Sequence, residues 1–346
     1  MALVFDKELH PSGKQVSTYL LKGSNGFSIQ IMDLGATWIS CMVPLNSGEK
    51  REVLLRSPSI AEHVKQSAYF GAMIGRYANR IGKGRFRLAN KEVQVSCNDA
   101  SNSLHGGKQG WDKVFWTLEN QEEHCLEFSL LSPDGDQGFP GNCRVTVRYS
   151  IECDNTVTIE TKVMTDAPTV VNMTNHAYFN LDAEHSSCLS HELQLNSEEY
   201  LPVDSEGLPS EELKVVPGTG FDFVQPKKIG QDLLMDEDQR LVGGYDHSYE
   251  LTKQDRDGLR KAAILTSSNG DLKMRVSTTK PALQFYSGNF LGDTPGASGV
   301  NYPKHAGLCL EPHFHPNSPN HSSRSKQTRL EPAQVYRHCS MYEFFS

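Results

Sequence analysis

The segment VTVRYSIECDNTVTIETKV, residues 145–163, alternates apolar and polar side chains on both sides of a short polar turn. The alternating positions are Val145, Val147, Tyr149 and Ile151 before the turn, and Val157, Ile159, Thr161 and Val163 after it. A period of two is typical of a β-strand with one buried face. Asp154-Asn155 supplies turn-forming residues between the two runs. The segment therefore predicts an antiparallel hairpin.

Similar strand signals recur along the chain, whereas long amphipathic helices do not. Residues 27–31 show the same alternation, and residues 268–271, Ser-Asn-Gly-Asp, join two strand-like runs in a way that predicts a type I′ hairpin turn. Only short helices are predicted, at residues 57–66 with Ser57 as N-cap and at residues 231–241. Many short strands and few helices predict an all-β fold, specifically a large antiparallel β-sandwich.

Composition narrows the class of protein further. The formal net charge is −8 and the charges are dispersed, so no basic face for nucleic acid is expected. No apolar run is long enough to span a bilayer, and the N-terminal MALVFDKELH lacks the apolar core of a secretory signal. The eight cysteines show no C-x-x-C spacing. Without a repeat or a linker, we expect residues 1–346 to form a single domain of a cytoplasmic protein, a monomer or weak dimer with no nucleic-acid or membrane partner.

Two separated stretches contain candidate acid and base residues. VNMTNHAYFNL, residues 171–181, places His176 among asparagines, a threonine and aromatics directly after a strand-like run. GLCLEPHFHPN, residues 307–317, carries Glu311 within an apolar strand-like run. A lone histidine in such a setting is usually a satisfied core residue. A function for His176 therefore depends on whether Glu311 meets it across a pocket.

Two further stretches have the residue types of a sugar site. NSLHGGKQGWDKVFW, residues 102–116, places His105 before paired glycines and near two tryptophans. Residues 71–88 contain Asn79-Arg80 but match neither a Walker loop nor a dinucleotide-binding fingerprint. Aromatic faces, polar groups and close backbone approach at glycine suit a sugar. Composition alone equally allows a simpler interpretation. Residues 71–88 would then be a surface loop with solvated arginines, and the tryptophans of residues 102–116 would be part of the core.

Together these stretches resemble the galactose mutarotase, or aldose 1-epimerase, family. The shared motifs, in the family's order and at similar spacing, are NRIGKGRF, NSLHGG with GWDKV, TNHAYFNL, YLPVD, GYDHSY, QFYSGNF and CLE. Each motif is weak alone, but seven in register make a chance match implausible. The resemblance implies the family's fold, a galactose mutarotase-like supersandwich with a sugar cleft on one face.

The resemblance also implies a role for each matching residue. His176 of TNH matches the family's general acid, and Glu311 of CLE matches its general base. His105 of LHGG would help to stabilise charge on oxygen during the reaction. The positions that match sugar-holding residues are Asn79, Arg80, His105, Asp246 and Gln284.

The implied reaction interconverts the α and β anomers of an aldose such as D-galactose or D-glucose. Ring opening needs a base for the proton of the C1 hydroxyl and an acid for the ring oxygen, and the two roles reverse on closure. No electron moves and no group is transferred. We therefore expect no cofactor and no metal, and a small-molecule aldose as the partner.

The sequence departs from the family pattern directly after Glu311. The family usually continues with Thr-Gln and then Trp-Pro-Asp, whereas this chain has Pro312 and His313, with His315 two residues later. Three alternatives stay open. One is a metallohydrolase that uses His313 and His315 as an H-x-H pair. The others are a non-catalytic sugar-binding protein on the same scaffold and a hexose-6-phosphate epimerase, which should have extra basic residues around its cleft.

Overall fold

Three antiparallel sheets dominate the computed structural model, which describes residues 4–151, 153–183, 187–252 and 258–346. Sheet A has the strands Val4–Leu9, Gln15–Lys22, Ser28–Met32, Thr37–Pro44 and Lys50–Glu52. Sheet B has, in spatial order, Thr117–Glu122, Cys125–Ser132, Cys143–Ser150, Thr156–Thr165, Tyr336–Phe345, Lys273–Thr278, Arg260–Thr266, Glu192–Leu195 and Lys227–Lys228. Sheet C has, in spatial order, Tyr178–Phe179, Leu308–His313, Ala282–Tyr286, Asp246–Glu250, Glu199–Leu201 and Lys214–Val215.

Short strand pairs and short helices make up the rest of the secondary structure in the described residues. The strand pairs are Arg80–Ile81 with Ser103–Leu104, Arg85–Leu88 with Lys91–Gln94, Met73–Ile74 with Thr174–Asn175, Thr169–Val170 with Arg329–Leu330, and Thr294–Pro295 with Asn301–Tyr302. The α-helices are Ile60–His63, Glu237–Leu241 and Ser325–Thr328, and the 3₁₀ helices are Gly82–Gly84, Trp111–Lys113, Asp136–Gly138, Cys188–Ser190 and Ser318–Asn320. Within these described ranges, no helix is long and apolar enough to cross a bilayer. The predicted all-β class is confirmed.

The hairpin predicted at residues 145–163 lies inside sheet B. Cys143–Ser150 pairs with Thr156–Thr165, and Val147 lies opposite Thr161. Its alternating side chains are buried, as the period of two predicts. The buried Tyr149 hydroxyl donates a hydrogen bond of 2.7 Å to the carbonyl of Ala36, just before a strand of sheet A. The hairpin therefore holds sheet B against sheet A through both apolar packing and a satisfied buried hydroxyl.

One hydrophobic core is shared by the three sheets, and three aromatic rings join them at one point. The ring of Trp38 in sheet A lies 5.9 Å from that of Phe179 in sheet C and 5.5 Å from that of Tyr342 in sheet B. Phe179 and Tyr342 stack at 5.4 Å. All three side chains are almost completely buried, so truncation of Trp38 to alanine should cost about 3–5 kcal/mol of unfolding free energy.

Two local predictions on helices are corrected in their bounds. The first helix spans Ile60–His63, and Ser59 rather than Ser57 is its N-cap, with its side chain accepting from the backbone N–H of Glu62. The carboxylate of Glu8 accepts the N–H of Ile60 at 3.1 Å, so a distant residue helps to set where this helix begins. The helix predicted at residues 231–241 forms only over Glu237–Leu241.

The Asn-Gly hairpin is present, but its turn type was predicted wrongly. The strands Arg260–Thr266 and Lys273–Thr278 pair as expected. Of the Asn-Gly pair, only Gly270 has a positive φ, of 78°, whereas a type I′ turn needs a positive φ at both central residues. The N–H of Gly270 donates to the carbonyl of Ser267 at 3.0 Å. The turn is therefore centred on Ser268-Asn269, and Gly270 takes the left-handed position after it.

Candidate functional site

Strand alternation in sheet C places the polar candidates on one face. In register, Gln284 lies opposite Glu311 on one side and opposite Ser248 on the other, while Tyr286 lies opposite both Cys309 and Asp246. Residues of equal parity on paired strands share a face. The opposite face carries one histidine, His247, and otherwise apolar residues, and all of them are buried: Tyr249, Leu283, Phe285, Leu308 and Leu310. The strand register thus places Asp246, Gln284 and Glu311 together on one face.

The second wall of the site consists of turns held by short strand pairs. The backbone N–H of Asn79 donates to His105 Nδ1 at 3.2 Å, and the N–H of His105 donates to the carbonyl of Asn79, also at 3.2 Å. Gly106 has a φ of 88°, and a Cβ there would lie 2.1 Å from the carbonyl oxygen of Gly75. Only glycine can follow His105 in this turn. The Gly pair of the LHGG motif thus brings His105 against Asn79.

These two walls enclose a cleft of about 630 Å³. Six of the predicted residues line it, namely Asn79, Arg80, His105, His176, Asp246 and Glu311. Gln284 is not among the lining residues. It is 2% exposed and lies behind Asp246, to whose Oδ1 its Nε2 donates at 2.7 Å. A direct contact of Gln284 with sugar stays a prediction, whereas its contact with Asp246 fixes the orientation of that carboxylate.

His176 and Glu311 meet at the base of the cleft. His176 Nε2 lies 3.7 Å from Glu311 Oε1, and both side chains are nearly buried. The His105 ring lies 5.1 Å from the His176 ring, edge to face. Glu311 Oε2 has no hydrogen-bond partner, so an acceptor is available at this point of the cleft. Such an arrangement can take a proton from one oxygen of a ligand and donate a proton to another.

Burial shifts the protonation of these groups toward their neutral forms. Desolvation, and secondarily the charge of Asp246, raise the pKa of Glu311 well above its ordinary value. Desolvation lowers the pKa of His176 to about 4. Desolvation also lowers the pKa of His105, with smaller contributions from the charges of His176 and Arg80. Strong shifts of an acid and a base in one cleft are typical of catalytic sites.

Arg80 is a paired residue rather than a solvated loop arginine. Its Nε lies 2.8 Å from Asp99 Oδ2, and its Nη1 lies 3.9 Å from Asp246 Oδ2. Desolvation raises the pKa of Asp246, while Arg80 and Gln284 lower it. Arg80 thus links two carboxylates at one side of the cleft and limits how far burial can neutralise Asp246.

Several residues of the cleft were not singled out from the sequence. The ring of Tyr69 lies 4.7 Å from His105 and 5.6 Å from His176, and the ring of Tyr178 lies 5.2 Å from His176. Tyr178 belongs to the TNHAYFNL motif and could have been found there by its proximity to His176. Tyr69 lies in a stretch without any motif, and only the fold brings it to the cleft.

The departure after Glu311 does not reach the lining of the cleft, although His313 lies two residues beyond Glu311 on the same strand and therefore on the same face of sheet C. His313 is completely buried, does not line the cleft, and has no hydrogen-bond partner on either ring nitrogen. His315 instead bonds Ser248 Oγ through Nδ1 at 2.8 Å and Glu250 Oε2 through Nε2 at 2.5 Å. In the part of the chain that the structure describes, neither histidine belongs to a group of three possible metal ligands. The geometry thus gives the metallohydrolase alternative no third ligand.

Comparisons with known proteins show the family of this chain. The family model described as aldose 1-epimerase matches residues 17–343. The chain belongs to the aldose 1-epimerase family. It is 44% identical to the aldose 1-epimerase of Escherichia coli (strain K12) over 98% of each chain. It is also 35% identical to the galactose mutarotase of Sus scrofa over 96% of each chain. The resemblance drawn from the motifs is confirmed, and membership places the chain among the isomerases.

Solved structures of this aldose 1-epimerase family support the fold. A galactose 1-epimerase from Lactobacillus acidophilus NCFM superposes with a TM-score of 0.86 at 28% identity and covers 98% of this chain and 97% of its own. An aldose epimerase homologue from C. elegans gives a TM-score of 0.87 at 26% identity and covers 95% of this chain and 99% of its own. The predicted galactose mutarotase-like sandwich is therefore confirmed.

Proposed function

We propose that this family member is an aldose 1-epimerase that interconverts the α and β anomers of D-galactose and D-glucose. The observation that carries the proposal is the approach of His176 Nε2 to Glu311 Oε1, 3.7 Å, at the base of a cleft lined by hydrogen-bonding side chains. Both residues are nearly buried. Burial of two ionisable side chains costs folding free energy, and this cost would be unnecessary if the residues only bound a ligand. An acid and a base placed side by side are what anomer interconversion requires.

In the proposed reaction, Glu311 accepts the proton of the C1 hydroxyl while His176 donates a proton to the ring oxygen. The bond between C1 and the ring oxygen breaks, and an open-chain aldehyde forms. Rotation about the C1–C2 bond presents the other face of the aldehyde. On closure the proton transfers reverse: His176 takes back the proton of the attacking hydroxyl, and Glu311 returns one to the new C1 hydroxyl.

The protonation of the pair is consistent with this cycle. A carboxylate with an imidazolium holds as many protons as a carboxylic acid with a neutral imidazole. Burial favours the neutral form in the ligand-free cleft, because it raises the pKa of Glu311 and lowers that of His176 to about 4. The opposite charges attract at 3.7 Å and favour the ionised form. Burial and charge attraction therefore oppose each other, so neither the neutral pair nor the ionised pair is strongly favoured. This suits two groups that must each donate and accept a proton during the cycle.

His105 and Arg80 would bind the sugar and stabilise charge on oxygen during ring opening. His105 packs against His176, and Arg80 lies at the same wall of the cleft. Donors preorganised in a desolvated cleft stabilise developing negative charge more than water does. Asp246, whose orientation is fixed by Gln284, is placed to accept a hydrogen bond from a sugar hydroxyl.

The charges of the cleft favour a neutral aldose over a hexose 6-phosphate. Among the described residues, its lining carries the acidic side chains of Asp99, Glu206 and Asp246 beside Glu311, and Arg80 is its one arginine or lysine. A phosphate dianion would need several basic partners and would be repelled by the ionised carboxylates among these residues. The extra basic residues expected of a hexose-6-phosphate epimerase are not among the residues that line the described cleft.

Polarimetry tests the proposed function directly. Freshly dissolved α-D-galactose and α-D-glucose should relax to the equilibrium rotation faster in proportion to protein concentration. α-D-glucose 6-phosphate should show a much smaller acceleration. A rate equal to that of buffer for both neutral sugars would reject epimerase activity and favour a sugar-binding protein, which equilibrium binding of galactose would then detect.

We also propose that residues 1–346 act as a single domain in the cytoplasm. The core shared by sheets A, B and C supports a single cooperative unit. All eight cysteines are free thiols, as a reducing compartment would keep them. A single thermal unfolding transition would support the first proposal, and fractionation of the native cells would test the second.

A further inference from the structure

A compact cluster of three possible metal ligands lies at the base of the cleft. Cys309 Sγ lies 3.5 Å from His176 Nδ1, and Glu311 Oε1 lies 3.7 Å from His176 Nε2. One donor atom from each of the three residues lies within 4.8 Å of the other two, and all three residues are buried. Across residues 4–151, 153–183, 187–252 and 258–346, no other three His, Cys, Asp or Glu side chains meet in this way.

The backbone of sheet C creates this cluster. Cys309 and Glu311 are two residues apart on the strand Leu308–His313, so they point to the same face. Tyr178, on the adjacent strand, pairs with Cys309. His176 lies two residues before Tyr178 and is thereby brought close to the same face. The acid and base need only His176 and Glu311, and the proposed reaction leaves the thiol of Cys309 without a role.

We propose that His176, Cys309 and Glu311 form a binding site for a soft divalent cation such as Zn²⁺ or Cd²⁺, which blocks the cleft reversibly. Nitrogen, sulfur and oxygen donors are the ligands that zinc takes in proteins, and three protein ligands leave a fourth position open. The 3.5 Å between Sγ and Nδ1 is about the separation of two ligands on a tetrahedral zinc with Zn–N near 2.0–2.1 Å and Zn–S near 2.3 Å. The cation takes one ring nitrogen of His176; at Nδ1, beside Cys309, it lies away from the Nε2 contact, so Glu311 must turn toward it from within the 4.8 Å that separates the donor atoms. Its Oε2 has no hydrogen bond to lose in that movement.

The cation must displace the protons of its ligand groups. Metal ligands must be deprotonated, so affinity increases as pH rises. The cation and an aldose both require His176 and Glu311, so each excludes the other. Inhibition rests on the proposed function, whereas the binding itself does not.

Cadmium titration of the full chain tests the site, because a cadmium–thiolate bond absorbs in the ultraviolet. Wild-type protein should bind one equivalent of Cd²⁺ through Cys309, and excess galactose should displace it. Cys309→Ala should lose this equivalent, whereas Cys153→Ala, which removes an exposed thiol, should retain it. In polarimetry the half-inhibitory Zn²⁺ concentration should rise at least ~10-fold in Cys309→Ala, since even changes outside the first ligand shell cost about 10- to 100-fold in metal affinity.

The outcomes separate the two proposals. Cadmium absorption and zinc inhibition that are the same in Cys309→Ala as in wild type would overturn the metal site, whatever the activity. Cys309-dependent absorption in a protein that does not accelerate mutarotation would support the metal site and reject the proposed function. Thermal melts verify that each variant is folded, and Cys309→Ser supplies a second variant of nearly the same shape.

Discussion

Replacement of Glu311 by glutamine is the sharpest test of the site. Glu311→Gln keeps the shape of the side chain but replaces a carboxylate, which can take the proton of the C1 hydroxyl, by an amide, which cannot. Loss of one positioned acid–base group costs about 10²- to 10⁴-fold in rate, which corresponds to about 3–5 kcal/mol of transition-state stabilisation. We therefore expect the catalysed rate to fall by this factor while galactose still binds.

The same substitution should not destabilise the fold. Glu311 is 3% exposed and its pKa in the folded state is raised above the unfolded value of about 4.5. Above that value the unfolded chain releases a proton that the folded chain retains, so wild-type Glu311 reduces stability as pH rises toward its folded pKa. Glutamine resembles the neutral acid and does not ionise. Glu311→Gln should consequently be as stable as wild type or more so at neutral pH.

The assay follows the optical rotation of fresh α-D-galactose, with the spontaneous rate in buffer subtracted, alongside a thermal melt. Glu199→Gln is the matched control, because Glu199 also lies in sheet C, opposite Glu250, but does not line the cleft. The control should retain the wild-type rate. Full activity in folded Glu311→Gln protein would refute Glu311 as the base. A large loss of stability would refute the argument on its protonation.

Four further expectations follow from the same geometry. His176→Asn should lower the polarimetric rate by a similar ~10²- to 10⁴-fold in a folded protein, because asparagine cannot transfer a proton; an unchanged rate would reject His176 as the acid. Arg80→Ala should raise KM about 10- to 100-fold, the equivalent of a lost charged hydrogen bond of about 1.5–3 kcal/mol. Initial rates over a range of galactose concentrations measure this, and an unchanged KM would contradict it. The active pair holds one proton, so the kcat/KM profile should be bell-shaped. Its acid limb lies near pH 4, where His176 gains a second proton for the pair and no base remains, and its alkaline limb lies at the raised pKa of Glu311, where the pair loses its proton and no acid remains. A profile flat between pH 3 and the alkaline limb would exclude this assignment. His313→Leu should stabilise the fold by about 1–3 kcal/mol by removing a buried ring with no hydrogen-bond partner. The gain should grow as pH falls from 6.5 toward 3, because the unfolded chain protonates His313 near 6.5 whereas burial lowers its folded pKa to about 3; urea melts at pH 7 and pH 5 that show no such growth would contradict the reasoning.

The sequence by itself determined the fold class. Alternation of apolar and polar residues is a property of near neighbours, so the hairpin at residues 145–163 and the all-β class could be predicted from it. Six of the seven predicted site residues line one cleft, but that prediction rested on the resemblance of the motifs to a family. No local pattern relates His176 to Glu311, which are far apart in the chain.

Only the tertiary structure decided features that depend on contacts between distant residues. The first helix begins at Ile60 rather than near Ser57 because Ser59 caps it and Glu8, from sheet A, accepts the N–H of Ile60. The fold also places Gln284 behind Asp246. Desolvation in the cleft, which depends on segments far apart in the chain packing together, raises the pKa of Glu311 and lowers that of His176. The sequence thus determined which residues face one side of a strand, and packing decided which of them meet and with what protonation.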